Sequence, residues 1–224
     1  MKGSLITLEG ISGTGKTFYK KKLQEEFKDN ESVVFIKEIF DEVHEGLSKK
    51  IFSALRHTGD RFFNMGVPLT ETFLLLAGSM YKYESVVRKM LEEGKIVIED
   101  RGIDTVAVYQ ALLISAQTGE DPLKCSSDIL NFISKFRALP DTTFLLERDV
   151  ETSIRRAEIR DDNPYTEEQV EYLKTVDSLY SAYADRHQDR IVRLDLEKET
   201  EVDIFDKMKE VIDEKLQEEI IEVE

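Results

Sequence analysis

The chain has 224 residues, long enough to bury a sizeable core and short enough for one domain spanning 1–224. Its 41% hydrophobic and 34% charged content exclude a disordered or membrane-embedded chain, and the net charge of −15 excludes broad binding to polymeric nucleic acid, which needs a basic face. A single cysteine, Cys125, excludes a disulfide framework and any multi-cysteine zinc site.

The N-terminal MKGSLITLEG enters directly into a strand rather than a signal-peptide pattern, so the cytoplasm is the expected compartment and no membrane partner is expected. Five short runs rich in β-branched or aromatic residues read as strands: Ser4–Gly10, Val33–Ile39, Lys95–Asp100, Thr142–Glu147 and Arg190–Asp195. Helical patterns separate them over Lys16–Asp29, Leu69–Glu93, Asp104–Thr118, Pro122–Ala138, Val150–Asp161 and Glu167–Arg186. An acidic helix follows over Val202–Glu222. This alternation predicts an α/β fold, with a five-stranded parallel sheet covered by helices on both faces. Ligands of such sheets bind at the carboxyl ends of the strands, which groups Gly10–Thr17, Glu38, Asp100–Arg101 and Glu147 on one rim.

Between the first strand and helix lies GISGTGKT, Gly10 to Thr17, which fits G-x-x-x-x-G-K-[ST] in its proper strand–loop–helix setting. Gly10, Gly13 and Gly15 let the backbone wrap so that N–H groups, including those of Ser12 and Thr14, face phosphate oxygens. The helix dipole adds to this. Lys16 is placed to reach the β- and γ-phosphates of ATP, and Thr17 to ligate Mg2+. The alternative is a glycine-rich turn with a chance lysine.

Beyond the loop, the LEGISGTGKT segment, EEGKIVIEDRGIDTVAVYQ, LPDTTFLLERDVETSIRRAEIR and EEQVEYLKTVDSLYSAY together resemble the thymidylate kinase branch of P-loop kinases, with deoxynucleoside kinases as relatives. The resemblance implies the three-layer P-loop kinase fold with a helical lid, here about residues 150–165. It also implies ATP and Mg2+ as cofactors, a small nucleotide acceptor, and a homodimer through helices flanking the sheet. The Asp100-Arg101 pair falls in the active site of such kinases. Asp100 suits magnesium or its water, and Arg101 offers a planar fork to the acceptor phosphate. A strand-end ion pair is the alternative. Arg155, Arg156 and Arg160 form a basic helix, which either closes over ATP or is a solvated face. Glu38 is a sugar-side base in the nucleoside kinase reading, falls near the acceptor in the thymidylate kinase one, and is otherwise a solvated strand-end glutamate.

Two departures concern the acceptor. Ser12 stands where the family carries an aspartate, and Ser79 and Met80 stand where a thymine-reading arginine is expected, with Lys82 or Arg88 as out-of-register substitutes. Phe73, Tyr81, Tyr109 and Gln110 are the remaining candidates for the base and sugar, with core packing as the alternative for the aromatic residues. His44, His57 and His187 match no metal or triad spacing. The leading reading is transfer to a nucleoside monophosphate, dTMP first. Transfer to a nucleoside 5′-hydroxyl, and a nucleotide-binding regulator with a degenerate acceptor site, are the others.

Overall fold

A computed structural model describes residues 3–36, 47–56 and 60–221. In chain order the elements are β1 (Leu5–Glu9), α1 (Lys16–Glu26), β2 (Val33–Ile36), α2 (Leu47–Leu55) and α3 (Pro68–Lys82). A π-helical turn at Tyr83–Val87 leads into α4 (Arg88–Glu92) and β3 (Ile96–Asp100). Then come α5 (Ile103–Thr118), α6 (Pro122–Ile133), β4 (Thr142–Glu147), α7 (Val150–Asp161), α8 (Glu167–Arg186), β5 (Ile191–Asp195) and α9 (Glu201–Ile221).

All strand pairs are parallel, in the order β2-β3-β1-β4-β5. The central strand explains the layering. In β1 every residue is buried, and successive side chains point to opposite faces. Ile6 and Leu8 pack with Tyr19 and Leu23 of α1 and Ile204 and Met208 of α9. The opposite face is covered by α2, α3, α5, α6 and α8 through Phe52, Leu75, Val106, Leu130 and Leu173. On that second face Thr7 and Glu9 enter a buried polar seam. Thr7 and Thr143 share a hydroxyl bond of 2.9 Å, Thr143 donates to Asp104, and Arg190 grips Asp104 at 2.7 and 2.8 Å.

Leu8 lies opposite Asp100, so the loops leaving β1 and β3 border one crevice at the sheet centre. The expected strands agree with the observed ones to within a residue at each end, save that the second is described only as Val33–Ile36. Residues 37–39, and with them Glu38, lie outside the described residues, as do His44 and His57. The long helix expected over Leu69–Glu93 starts at Pro68 and is interrupted by the π-helical turn. The helix expected to reach Ala138 stops at Ile133, and α2 was not anticipated at all.

Candidate active site

β1 ends in Gly10, and the chain folds back over the start of α1 with Gly10, Gly13 and Gly15 all at positive φ (127°, 88° and 123°). Two of these glycines are also demanded by packing. A Cβ on Gly10 would stand 2.5 Å from Leu146 O, and one on Gly13 only 1.9 Å from Ser153 O, so the loop is pressed between β4 and α7. Lys16 is buried, and its Nζ donates to Gly10 O at 2.8 Å and Ile11 O at 2.7 Å. The ammonium thus lies inside the loop, with Thr17 beside it in the first turn of α1. Loop, lysine and helix start form a cradle fitted to a polyphosphate.

The cradle opens into a cleft of about 450 Å³ bordered by Lys16, Thr17, Asp100, Arg101, Arg156 and Arg160. Asp100 leaves β3 toward α1, where Lys20 Nζ is 3.5 Å away. Among the described residues no group of three or more His, Cys, Asp or Glu side chains could hold a metal ion. A cation here would take Asp100 and Thr17 from the protein and its remaining ligands from phosphate and water, the usual arrangement for Mg2+.

α7 starts at Asp149, whose side chain accepts from Thr152 N at 2.8 Å, and presents Arg156 and Arg160 to the cleft. Arg160 also holds Asp161 through two bonds, at 2.7 and 2.9 Å. Arg155 is exposed and does not border this cleft; it sits about 100° around the helix from Arg156. Arg148, at the end of β4, does reach the loop, with Nε 3.4 Å from Thr14 O. Its place directly after the strand's last residue is the signal by which it could have been found.

A second cavity, of about 580 Å³, adjoins the first and shares Ser12 and Arg101 with it. Arg101 stands on this common wall. Its NH2 is 3.3 Å from Ser12 Oγ, its NH1 3.4 Å from Thr105 Oγ1, and its guanidinium carbon 5.9 Å from the Tyr109 ring centre. Tyr109 and Gln110 of α5 border the cavity, and the buried Gln110 accepts from Thr72 Oγ1 at 3.0 Å. Sequence reasoning missed the opposite wall, Arg56 and Asp60–Phe63, because nothing local marks it. Asp60 Oδ1 accepts from Phe62 N and Asn64 N at 2.8 and 3.0 Å, and Glu71 holds Met65 N and Val67 N, so the segment is built against α3. Arg61 lies 4.1 Å over the Tyr165 ring and donates to Asn163 O, joining this wall to the segment after α7. Phe62 stacks on Tyr165 with planes 8° apart.

Phe73 and Tyr81 stand away from this cavity: Phe73 is 59% exposed and meets Phe132 edge-on, and Tyr81 is 38% exposed; neither borders it. The helix phase is the reason: Leu75, about 200° around α3 from Phe73, is the residue that faces inward. The proposed substitutes for a base-reading arginine are also engaged elsewhere. Lys82 is buried 2.9 Å from Glu99 Oε1, Arg88 pairs with Glu84, and Ser79 accepts from Arg137. Cations reach the cavity from Arg56, Arg61 and Arg101 instead.

Among the described residues three that are not glycine have positive φ: Phe63, Arg101 and Asp162. Phe63 and Arg101 border the second cavity, and Asp162 lies between its Asp161 and Asn163. Such backbone costs about 1–3 kcal/mol per residue and collects where a site over-determines it. Beneath Arg101, Glu9 is fully buried, its Oε1 accepting from Gly102 N at 2.7 Å and its Oε2 from Thr105 Oγ1 and Tyr180 OH. Burial, and then the neighbouring Asp104, push the Glu9 carboxyl up to about 7. Burial pushes Asp104 up too, but the Arg190 charge together with hydrogen bonds from Arg190, Tyr183 and Thr143 outweighs it and holds Asp104 below the usual range.

The family model described as thymidylate kinase matches residues 8–207 of the chain. The chain is 31% identical over 197 residues to a probable thymidylate kinase of Methanosarcina acetivorans, covering 87% of this chain and 88% of that one. It is 30% identical over 223 residues to the thymidylate kinase of Maridesulfovibrio salexigens, covering 94% and 95%. The crystal structure of thymidylate kinase from Ehrlichia chaffeensis shares the fold, with a TM-score of 0.65 at 19% identity over 95% of this chain and 99% of that one.

Proposed function

Since the chain belongs to the thymidylate kinase family, we propose that it transfers the γ-phosphoryl group of ATP to the phosphate of dTMP, giving ADP and dTDP. The observation that carries this reading is the wall shared by the two compartments. A polyphosphate cradle and a nucleotide-sized cavity meet at Ser12 and Arg101, where a phosphate from each side would come together.

An oxygen of the dTMP phosphate attacks the γ-phosphorus, and the bond from that phosphorus to the β–γ bridging oxygen breaks. The attacking oxygen is already anionic, so no general base is required. Lys16 and the backbone of Gly10, Ser12, Gly13, Thr14 and Gly15 hold the donor phosphates. Arg101 holds the acceptor phosphate in line, and Arg156 and Arg160 close over the transferred group and match its charge. Thr17 and Asp100 would hold Mg2+, which would neutralise charge on the donor phosphates. On the acceptor side Tyr109 borders the sugar and Gln110 presents an amide to the base. Arg56 and Arg61 add positive charge where α3 supplies none. The chain acts as one catalytic domain with α7 and the following segment as lid, working in the cytoplasm.

The homodimer is seated on the groove between α3 and α6, where Phe73, Phe132 and Phe136 are exposed at 59%, 46% and 56%. Sedimentation would test it: a monomer at micromolar concentration contradicts this assignment. The reaction itself is tested by coupled ADP release across a panel of nucleosides and nucleoside monophosphates. Release with dTMP well above the other acceptors is expected. ATP binding without acceptor-dependent release contradicts a kinase, and release with a nucleoside alone moves the acceptor back to a hydroxyl.

A further inference from the structure

Glu9 is a carboxylate at the end of an otherwise apolar-and-threonine strand, with no exposed surface. Leaving water is costly for a carboxylate, and an apolar or amide side chain of similar size would fill the space at lower cost. The partners of Glu9 lead to one place. Oε1 accepts from the N–H of Gly102, the residue after Arg101. Oε2 accepts from Thr105, whose hydroxyl oxygen is in turn 3.4 Å from Arg101 NH1.

Arg101 needs such support. Its φ of 56° is a left-handed conformation that an arginine does not adopt unaided. Its own N–H donates to Leu8 O at 3.0 Å, and a Cβ on Gly102 would meet Thr7 Cγ2 at 2.6 Å. Residues 7, 8 and 9 of β1 therefore grip the turn from below, and Glu9 adds a bond to the Gly102 backbone and, through Thr105, one toward the guanidinium. We infer that Glu9 is a positioning residue for the acceptor side, holding the Arg101–Gly102 turn so that the guanidinium stays on the wall between the two compartments.

The groups facing Glu9 are Arg101 from the turn, Asp104 and Tyr109 from α5, and Tyr180 from α8. As a carboxylate Glu9 accepts from all three donors. A proton on Oε2 reverses one of these bonds and loosens Thr105 from its role beneath the guanidinium. The clamp is therefore tighter on the alkaline side of the Glu9 midpoint.

The kinetic arm of the test rests on the proposed kinase reading; the spectroscopic arm does not. In Glu9→Gln, kcat/KM for dTMP is expected to fall about 100-fold while KM for ATP changes less than about twofold, since a small misplacement of a positioning group has that reach. In the same variant the acid limb of the wild-type profile for dTMP is expected to fall back to that of the substrate phosphate alone, whose second pKa is about 6. Tyr180→Phe removes one donor to the carboxylate from outside both clefts, and so moves that limb to higher pH. Without any nucleotide, the Gly102 amide resonance in 15N NMR is expected to titrate with a midpoint near 7 in the wild type and to stay flat in Glu9→Gln. Wild-type KM for dTMP in Glu9→Gln, or a Gly102 amide that does not titrate in the wild type, overturns the assignment. A wild-type chain that phosphorylates no monophosphate sinks the proposed function instead, and the Gly102 titration still decides the clamp.

Discussion

The donor and acceptor halves of the cleft are built by different means. The donor half is eight consecutive residues, Gly10 to Thr17, whose chemistry is mostly backbone: N–H groups, a helix start and one lysine held on Gly10 O and Ile11 O. The acceptor half is drawn from segments scattered between Ser12 and Tyr165, and it works through side chains such as Arg61 against Tyr165 and Gln110 against Thr72. A backbone cradle tolerates little variation, because its glycines are fixed by Leu146 and Ser153. A side-chain cavity can move its cations from α3 to Arg56 and Arg61 without changing the fold.

The comparison breaks first at Lys16. Lys16→Met is expected to lower kcat by about 1,000-fold or more with the fold intact by circular dichroism. A loss below tenfold would remove the lysine from the donor role. Arg101→Met comes next, with kcat/KM for dTMP down about 100- to 1,000-fold and ATP affinity held, by isothermal titration. Equal losses on both sides would show that the shared wall does not divide the halves as described. Arg61→Ala, which cuts the link from the acceptor wall to Asn163 and Tyr165, is expected to raise KM for dTMP about tenfold. The smallest effect is expected outside the cavity: Phe73→Ala and Tyr81→Ala should leave kcat/KM within about twofold in steady-state assays.

Stability divides along the same seam. Asp104, held low by Arg190, contributes stability above the ordinary carboxylate value of 3.8, and that contribution is lost as pH falls through its lower folded value. Glu9 has the opposite sign. Its contribution is full below 4.5 and is lost as pH rises through about 7. Denaturant melts of Arg190→Ala should show a loss of about 3–5 kcal/mol at neutral pH, the cost of an unpaired buried carboxylate.

What was legible in the sequence follows from this division. The phosphate loop could be read because its parts are contiguous, and the strand Thr142–Glu147 because a short β-branched run between a Pro-Asp turn and a charged stretch has few other solutions. α2 went unread although Leu47, Ile51 and Leu55 keep helical spacing. Arg61 gave no local signal, since its partners lie beyond residue 160. Glu9 did give one: an acid inside LITLEG, ending an apolar strand, has to be either paired or functional. Phe73 is weighed in the sequence by its aromatic chemistry, whereas its phase on α3 turns it from the cavity.

The most direct test of the two-compartment account is binding of a bisubstrate ligand, with adenosine and thymidine joined 5′ to 5′ through five phosphates. If the cradle and the cavity meet at Arg101, calorimetry should show it binding at least about 100-fold more tightly than ATP or dTMP alone, with most of that gain gone in Arg101→Met. Affinity no better than that of ATP, in a chain that binds both nucleotides, would contradict a shared wall.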